Sequence, residues 1–301
     1  MNTKQILIIG SKGFLGSNLL NYFSNAGYKV KTLSRENGDL LDFSSWKILP
    51  VSENYEAIYF CIEKSGNQIF FENNSAADLI NYNSQLITNL DKFIKCLQTT
   101  TKIFVFGSLW TAFSKLAEIE ENDLFKNEKD TNLLGLTMTK TLLFKLVQKV
   151  NRSTKHKASI LTTGTLYGPN DKSGHLVPSI LSKLAPRPEE LKMFGKGDSI
   201  RNFTYVEDLC FWLKKILNSN LVCPESLIIA SDKNYRISDV VEVLAKKFDV
   251  KKLIWGEKID NFKIRIPLTN KFSNLYYSAE FAFRGIETFD KRDLIKWINK
   301  E

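Results

Sequence analysis

The run Ile6-Leu7-Ile8-Ile9-Gly10-Ser11-Lys12-Gly13-Phe14-Leu15-Gly16 constrains the fold more than any other part of the chain. Four consecutive apolar residues, three of them β-branched, read as a parallel strand buried on both faces. Three glycines at three-residue spacing follow. Phe14, Leu15, Leu19, Leu20 and Phe23 then recur at helical spacing. A strand turning through glycines into a helix gathers unpaired backbone N–H groups and the positive end of a helix at one point, which suits a pyrophosphate. Gly10 permits the tight turn, Gly13 lets phosphates approach the backbone, and Gly16 lets helix and strand pack closely. With Phe14 and Leu15 on the first helical turn, these glycines form the expected dinucleotide-binding set.

Strand and helix signals alternate after this turn. Tyr28–Leu33 reads as a second strand with Ser34-Arg35 at its end. An acidic residue here would hold a ribose 2′-hydroxyl, whereas Arg35 suits a 2′-phosphate, because a guanidinium binds phosphate bidentately. NADP is therefore the expected cofactor, with NAD possible. The competing reading of Arg35 is a solvated loop residue. Gly38-Asp39-Leu40 follows, with Asp39 placed for the adenine amino group and Leu40 beside it. Strands are expected at Ala57–Ile62, Lys102–Phe106 and Ala158–Thr162, and helices at Asn83–Leu97 and Leu133–Val150. This rhythm predicts a doubly wound parallel α/β sheet. After Gly164 prolines break it up. Short strands are expected at Leu191–Phe194 and Leu227–Ala230. Helices are expected at Val206–Leu217, at Ser238–Phe248 with Ser238 as its cap, and at Asp290–Ile298. The division is a dinucleotide-binding domain over residues 1–165 and a smaller, interleaved, mainly substrate-binding lobe over 166–301 that covers the sheet's carboxyl edge.

Composition excludes several classes. Hydrophobic content of 43% and charged content of 25% over 301 residues suit a globular chain. No apolar run approaches the roughly 18 residues of a membrane span, and a strand beginning near Lys4 leaves no room for a signal peptide. The net charge of +9 comes from scattered lysines without interleaved exposed aromatics, so an anionic small molecule is a better partner than nucleic acid. Cys61, Cys96, Cys210 and Cys223 are widely spaced with few histidines nearby, as expected of reduced core thiols in a cytoplasmic protein and not of metal ligands.

Several blocks together resemble the extended short-chain dehydrogenase/reductase family of nucleotide-sugar epimerases, dehydratases and ketoreductases. They are the glycine turn, Gly38-Asp39-Leu40, Asn83, Gly107-Ser108, Leu166-Tyr167-Gly168-Pro169-Asn170-Asp171 and Arg201-Asn202-Phe203-x-Tyr205-Val206-x-Asp208. Ser114–Glu118 and Gly174-His175-Leu176-Val177-Pro178 look most like GDP-fucose synthases. Phe194-Gly195-Lys196-Gly197-Asp198-x-x-Arg201 also looks like CDP-abequose and CDP-paratose synthases. Both groups reduce a 4-keto nucleotide sugar with NADPH. The resemblance implies that Ser108 donates to the sugar C4 oxygen, that Asn83 braces the cofactor-side loops, and that Arg201 clamps the substrate diphosphate. It further implies that Lys183 assists as a point charge and that Phe194 faces the nucleotide base. Four of these have a plainer alternative: a strand-end cap for Ser108, an exposed helix residue for Asn83, a solvated lysine for Lys183, a core residue for Phe194. A homodimer through the helices near 83–97 and 133–150 is also implied. The alternative is that Leu134, Met138, Leu142 and Leu146 form a stripe packed inside the monomer.

One departure stands out. The family carries Tyr-x-x-x-Lys at the start of the helix after the fourth strand, where the tyrosine is the proton donor and the lysine lowers its pKa and holds the nicotinamide ribose. Here the segment is Leu133-Leu134-Gly135-Leu136-Thr137-Met138-Thr139-Lys140. In one frame Leu134 and Met138 stand in the two places. In the other, Leu136 precedes Lys140. Neither has the tyrosine. The substitutes are His175, which matches a histidine that acts as an acid in GDP-fucose synthases, the hydroxyls of Thr111, Thr137 and Thr139, or water near Lys140. The cysteine partner of that histidine falls on Trp110, which argues against two-base epimerisation. Tyr167 reads as structural. The expected activity is NADP-dependent reduction of a 4-keto nucleotide-linked deoxysugar for bacterial surface polysaccharide. The alternatives are a cofactor- and nucleotide-sugar-binding subunit without turnover, and a dehydrogenase or epimerase with tightly held NAD.

Overall fold

The computed structural model describes residues 4–66, 68–112, 118–125, 133–257, 266–268, 270–276 and 282–299. Its strands are β1 (Gln5–Ile9), β2 (Lys29–Leu33), β3 (Ala57–Phe60), β4 (Lys102–Ser108), β5 (Glu118–Ile119), β6 (Lys157–Thr163), β7 (Thr165–Tyr167), β8 (Glu190–Lys192), β9 (Ile200–Tyr205), β10 (Ser226–Ile228), β11 (Asn234–Arg236), β12 (Lys252–Ile254) and β13 (Ile266–Pro267). Its α-helices are α1 (Phe14–Asn25), α2 (Gln68–Asn73), α3 (Ala76–Cys96), α4 (Leu134–Ser153), α5 (Leu176–Leu184), α6 (Val206–Asn218), α7 (Ile237–Lys247), α8 (Asn270–Tyr276) and α9 (Lys291–Asn299).

Six strands form one parallel sheet in the order β10-β6-β4-β3-β1-β2. All five residues of β1 are buried, because the sheet is covered on both faces. Leu7 and Ile9 point to the side packed by α3 and α4, and Ile6 and Ile8 to the side packed by α1 and α6. This is the expected doubly wound fold. β2 lies on one side of β1 and β3 on the other, so the crevice at their carboxyl ends is a topological switch point, where such sheets take ligands. The sheet draws its sixth strand, β10, from residues 226–228, well beyond the glycine turn's half of the chain.

The remaining elements build a lobe with its own core, in which α5, α7 and α9 pack with the β11-β9-β7 sheet and the β8–β12 pair. Asp208 on α6 is fully buried. Its carboxylate accepts from the Arg284 backbone N–H at 2.6 Å and from Nε at 2.6 Å, and the guanidinium lies 4.4 Å from the Tyr205 ring centroid. Burial raises the Asp208 pKa, against the lowering effect of Arg284.

Four details differ from the sequence reading. β4 runs two residues further, through Gly107-Ser108, because both residues pair with Thr162 and Thr163 of β6 despite weak strand propensity. α3 starts at Ala76, seven residues earlier, with polar Asp78 and Asn81 on its exposed face. Ser238 does not cap α7. Arg236 is the cap residue, and the Ser238 N–H bonds the Gly197 carbonyl at 2.9 Å, drawing Ser238 into the first turn. Cys96, at the end of α3, is exposed and is not a core thiol.

Candidate functional site

The glycine turn has the geometry its sequence demands. Gly10 has φ +92°, and a Cβ there would stand 2.9 Å from the Cys61 carbonyl carbon and oxygen. A Cβ on Gly16 would come within 2.2 Å of the Gly10 carbonyl oxygen, so only glycine lets α1 close onto the turn. These cradles fit a dinucleotide pyrophosphate. At the end of β2, Ser34 caps a short turn over Arg35–Asn37, which leaves Arg35 exposed. Asp39 is exposed, and its Oδ1 accepts from the Leu41 N–H at 3.0 Å. Leu40 is buried, with its carbonyl fixed by Trp46 Nε1 at 3.1 Å and Asn89 Nδ2 at 3.0 Å.

A cavity of about 530 Å³ opens between the sheet and the lobe. Phe14, Ser108, Trp110, Leu136, Lys140, His175 and Arg201 line it. Five residues singled out in the sequence, Phe14, Ser108, Lys140, His175 and Arg201, thus meet in one space. Asn83 is buried and joined to its surroundings. Its Oδ1 accepts from the Lys64 N–H at 2.8 Å, and its Nδ2 donates to the Lys64 carbonyl at 3.1 Å and to Thr139 Oγ1 at 3.2 Å. Asn83 is therefore no exposed helix residue, and it holds the loop after β3. Ser108 Oγ accepts from the Trp110 N–H at 3.2 Å, the strand-end cap considered above, and also faces the cavity.

Lys183 and Phe194 are not brought to this cavity. Lys183 lines a neighbouring cavity behind α5, and its Nζ donates to the Lys192 carbonyl at 3.0 Å. Phe194 is 77% exposed and outside the cavity lining, so it is no core residue.

Leu136 and Lys140, four apart and on one helix face, both line the cavity, whereas Met138 is 37% exposed. This favours the frame in which Leu136 precedes Lys140. Lys140 Nζ pairs with the Glu63 carboxylate and donates to the Phe106 carbonyl at 2.9 Å. The threonines are engaged elsewhere. Thr111 Oγ1 donates to the Ser108 carbonyl at 2.6 Å, Thr139 Oγ1 to the Gly135 carbonyl at 2.8 Å, and Thr137 is buried outside the lining.

His175 sits at the N-terminus of α5, with Nδ1 2.7 Å from Ser173 Oγ. The Ser173 N–H in turn donates to Asp171 Oδ1 at 2.9 Å, and burial raises the Asp171 carboxyl above its usual range. The Arg201 guanidinium lies 5.1 Å from the Trp110 ring centroid. Sequence reasoning missed this contact, the Asp171–Ser173 support of the histidine and the Glu63 partner of Lys140. Only the clustering of Asp171, Ser173 and His175 within five residues signalled any of them. Among the described residues no His/Cys/Asp/Glu group is arranged to hold a metal, and no helix is long and apolar enough to cross a membrane.

A doubly wound sheet with a glycine turn at its switch point, and a cavity lined by a lysine and a serine beside a second lobe, accords with a dinucleotide-dependent oxidoreductase. The chain belongs to the NAD dependent epimerase/dehydratase family, whose profile matches residues 6–230. It is 24% identical over 255 residues to the GDP-L-colitose synthase of Yersinia pseudotuberculosis, covering 80% of this chain and 81% of that one. Two solved Campylobacter jejuni structures share its fold. A GDP-6-OMe-4-keto-L-xylo-heptose reductase superposes with a TM-score of 0.82 at 15% identity, over 100% of this chain and 97% of the other. A GDP-mannoheptose C4 reductase with NADP bound gives a TM-score of 0.79 at 17% identity, over 100% and 98%.

Proposed function

We propose that this chain reduces a 4-keto nucleotide-linked deoxysugar with NADPH, as a step toward a bacterial surface polysaccharide. The observation that carries the reading is the convergence of Ser108, His175, Lys140 and Arg201 on the cavity next to Phe14 of the glycine turn. Exposed Arg35 after β2 favours the 2′-phosphorylated cofactor, and the NADP-bound relative supports it. The GDP-linked names of the relatives favour GDP over the other nucleotides. Asp39 and Leu40 form the adenine end, and exposed Phe194 presents an aromatic surface to the nucleotide base. Lys183 contributes at most a distant charge. The reading includes a cytoplasmic homodimer built on α3 and α4, which pack along each other and leave Met138 exposed.

The reduced nicotinamide, when bound, supplies the hydride. Ser108 Oγ donates to the C4 oxygen and stabilises the charge developing there. The proton comes from His175, whose Nδ1 is held by Ser173 and whose other ring nitrogen is left for the substrate. With Leu136 in the tyrosine's place and the Thr111 and Thr139 protons committed to carbonyls, the His175 imidazole is the cavity-lining group best suited to this transfer. Arg201 holds the diphosphate bidentately, and Trp110 fixes the guanidinium plane.

Leu136 also favours a second reading, in which the chain binds cofactor and nucleotide sugar without turnover. Loss of nicotinamide absorbance is to be followed with NADPH and a GDP-4-keto-6-deoxysugar for the unaltered chain and for Leu136→Tyr. Measurable turnover in the unaltered chain, rising about tenfold or more in the variant, is the expected result. Turnover in the variant alone supports the binding protein.

A further inference from the structure

Glu63, the carboxylate paired with the cavity-lining Lys140, has no role in the scheme above. We infer that Glu63 is a cofactor-binding residue, a carboxylate that with Lys140 clamps the ribose hydroxyls on the nicotinamide side of the dinucleotide. The inference rests on the dinucleotide reading of the site.

Three observations support it. The first is position. Glu63 follows β3, the strand beside β1 at the switch point, and the Cys61 backbone two residues earlier lies against Gly10 of the phosphate turn. Its partner Lys140 lines the cavity together with Phe14, the first residue of α1 after the turn, and Ser108, so the pair lies beside a space bounded by the pyrophosphate end and the reacting end. A ribose separates those two ends in a dinucleotide.

The second is hydrogen-bonding capacity. The Glu63 carboxylate holds the Lys140 ammonium through Oε2, while Oε1 is buried with no hydrogen-bond donor. A carboxylate oxygen out of water without a donor is costly, and a ligand hydroxyl would remove that cost. Lys140 uses one N–H on Glu63 and one on the Phe106 carbonyl, which leaves one for a ligand. One carboxylate acceptor beside one ammonium donor matches a vicinal diol. An acidic residue performs the same task on the adenosine ribose where it stands at the end of the second strand, a place that Ser34-Arg35 occupies here.

The third is rigidity. Asn83 fixes both the N–H and the carbonyl of Lys64, the residue after Glu63, and anchors itself to Thr139 beside Lys140. The loop bearing Glu63 and the helix bearing Lys140 are thereby tied together without a ligand, as a preformed clamp requires. Glu63 also gives Lys140 an anionic partner at a site where Leu136 offers none.

The test compares two probes on three chains. NADPH contains the nicotinamide ribose, and 2′,5′-ADP lacks it while retaining the adenosine end. Dissociation constants are to be measured by fluorescence titration for the unaltered chain, Glu63→Gln and Glu63→Ala. The expected result is a loss of NADPH affinity of about tenfold or more in Glu63→Ala and a smaller loss in the isosteric Glu63→Gln, with 2′,5′-ADP affinity unchanged in both. Unchanged 2′,5′-ADP binding also establishes that the variants fold. Equal NADPH affinity in all three chains would overturn the role of Glu63 and leave the dinucleotide reading intact. Failure of the unaltered chain to bind either probe would overturn the dinucleotide reading and this inference with it.

Discussion

His175→Ala should lower kcat for the 4-keto sugar by about a hundredfold or more while leaving the dissociation constant of NADPH unchanged. A positioned general acid contributes typically about 10² to 10⁴ in rate. Thr111 and Thr139 donate to backbone carbonyls, and Leu136, which lines the cavity, has nothing to donate. The imidazole is held from behind, Nδ1 by Ser173 and Ser173 by Asp171, so removing it leaves the supporting loop in place. A variant with the parent's kcat would assign the proton to water near Lys140 instead.

Arg284→Ala should destabilise the chain by about 1–3 kcal/mol at pH 8, as expected when a buried carboxylate loses a charged donor that is itself partly exposed. The cost falls on Asp208, which is fully buried and receives both the guanidinium and the Arg284 backbone N–H. The pH dependence has a definite sign. Burial raises the Asp208 carboxyl above its unfolded value even with Arg284 present. A carboxyl raised on folding binds more proton in the folded state between its unfolded and folded pKa values. Its burden on stability is therefore full above the folded value and disappears below the unfolded one. Without Arg284 the folded value moves further up, so the deficit should shrink as the pH falls from 8 toward 5. Urea unfolding at the two pH values measures it. An equal deficit at both would mean that Asp208 keeps its charge or that Arg284 acts through Tyr205 packing alone.

The parts of the molecule written as local pattern were legible in the sequence. The β1 run and the glycines after it dictate a buried strand, a tight turn and a close helix, and Gly10 and Gly16 occupy positions that a Cβ would disrupt. The alternation of strands and helices gave the doubly wound sheet with most elements within a few residues of their places. Boundaries moved where tertiary pairing outweighed local preference, as when β6 drew Gly107-Ser108 into β4. At the site, residue types could be read and partners could not. Two frames for the Lys140 helix were equivalent by spacing. Burial separates them, because Leu136 and Lys140 face the cavity and Met138 faces outward. Glu63 stands in the polar stretch Glu63-Lys64-Ser65-Gly66 after β3, which carries no motif of its own. Its role depends on a contact with a residue 77 positions away, and no local pattern records such a contact. Of the two readings of Lys183, the solvated helix lysine matches its exposed position on α5 beside the neighbouring cavity.

The central claim is that hydride reaches C4 of a nucleotide sugar at a site where leucine replaces the tyrosine. It is tested most directly by incubating the chain with NADPH carrying deuterium at nicotinamide C4 and a GDP-4-keto-6-deoxysugar, then locating the label by NMR. Deuterium from one face of the nicotinamide, found at sugar C4 in a single configuration, is the predicted result. A sugar recovered still oxidised at C4, with the label retained on the nicotinamide, would contradict it.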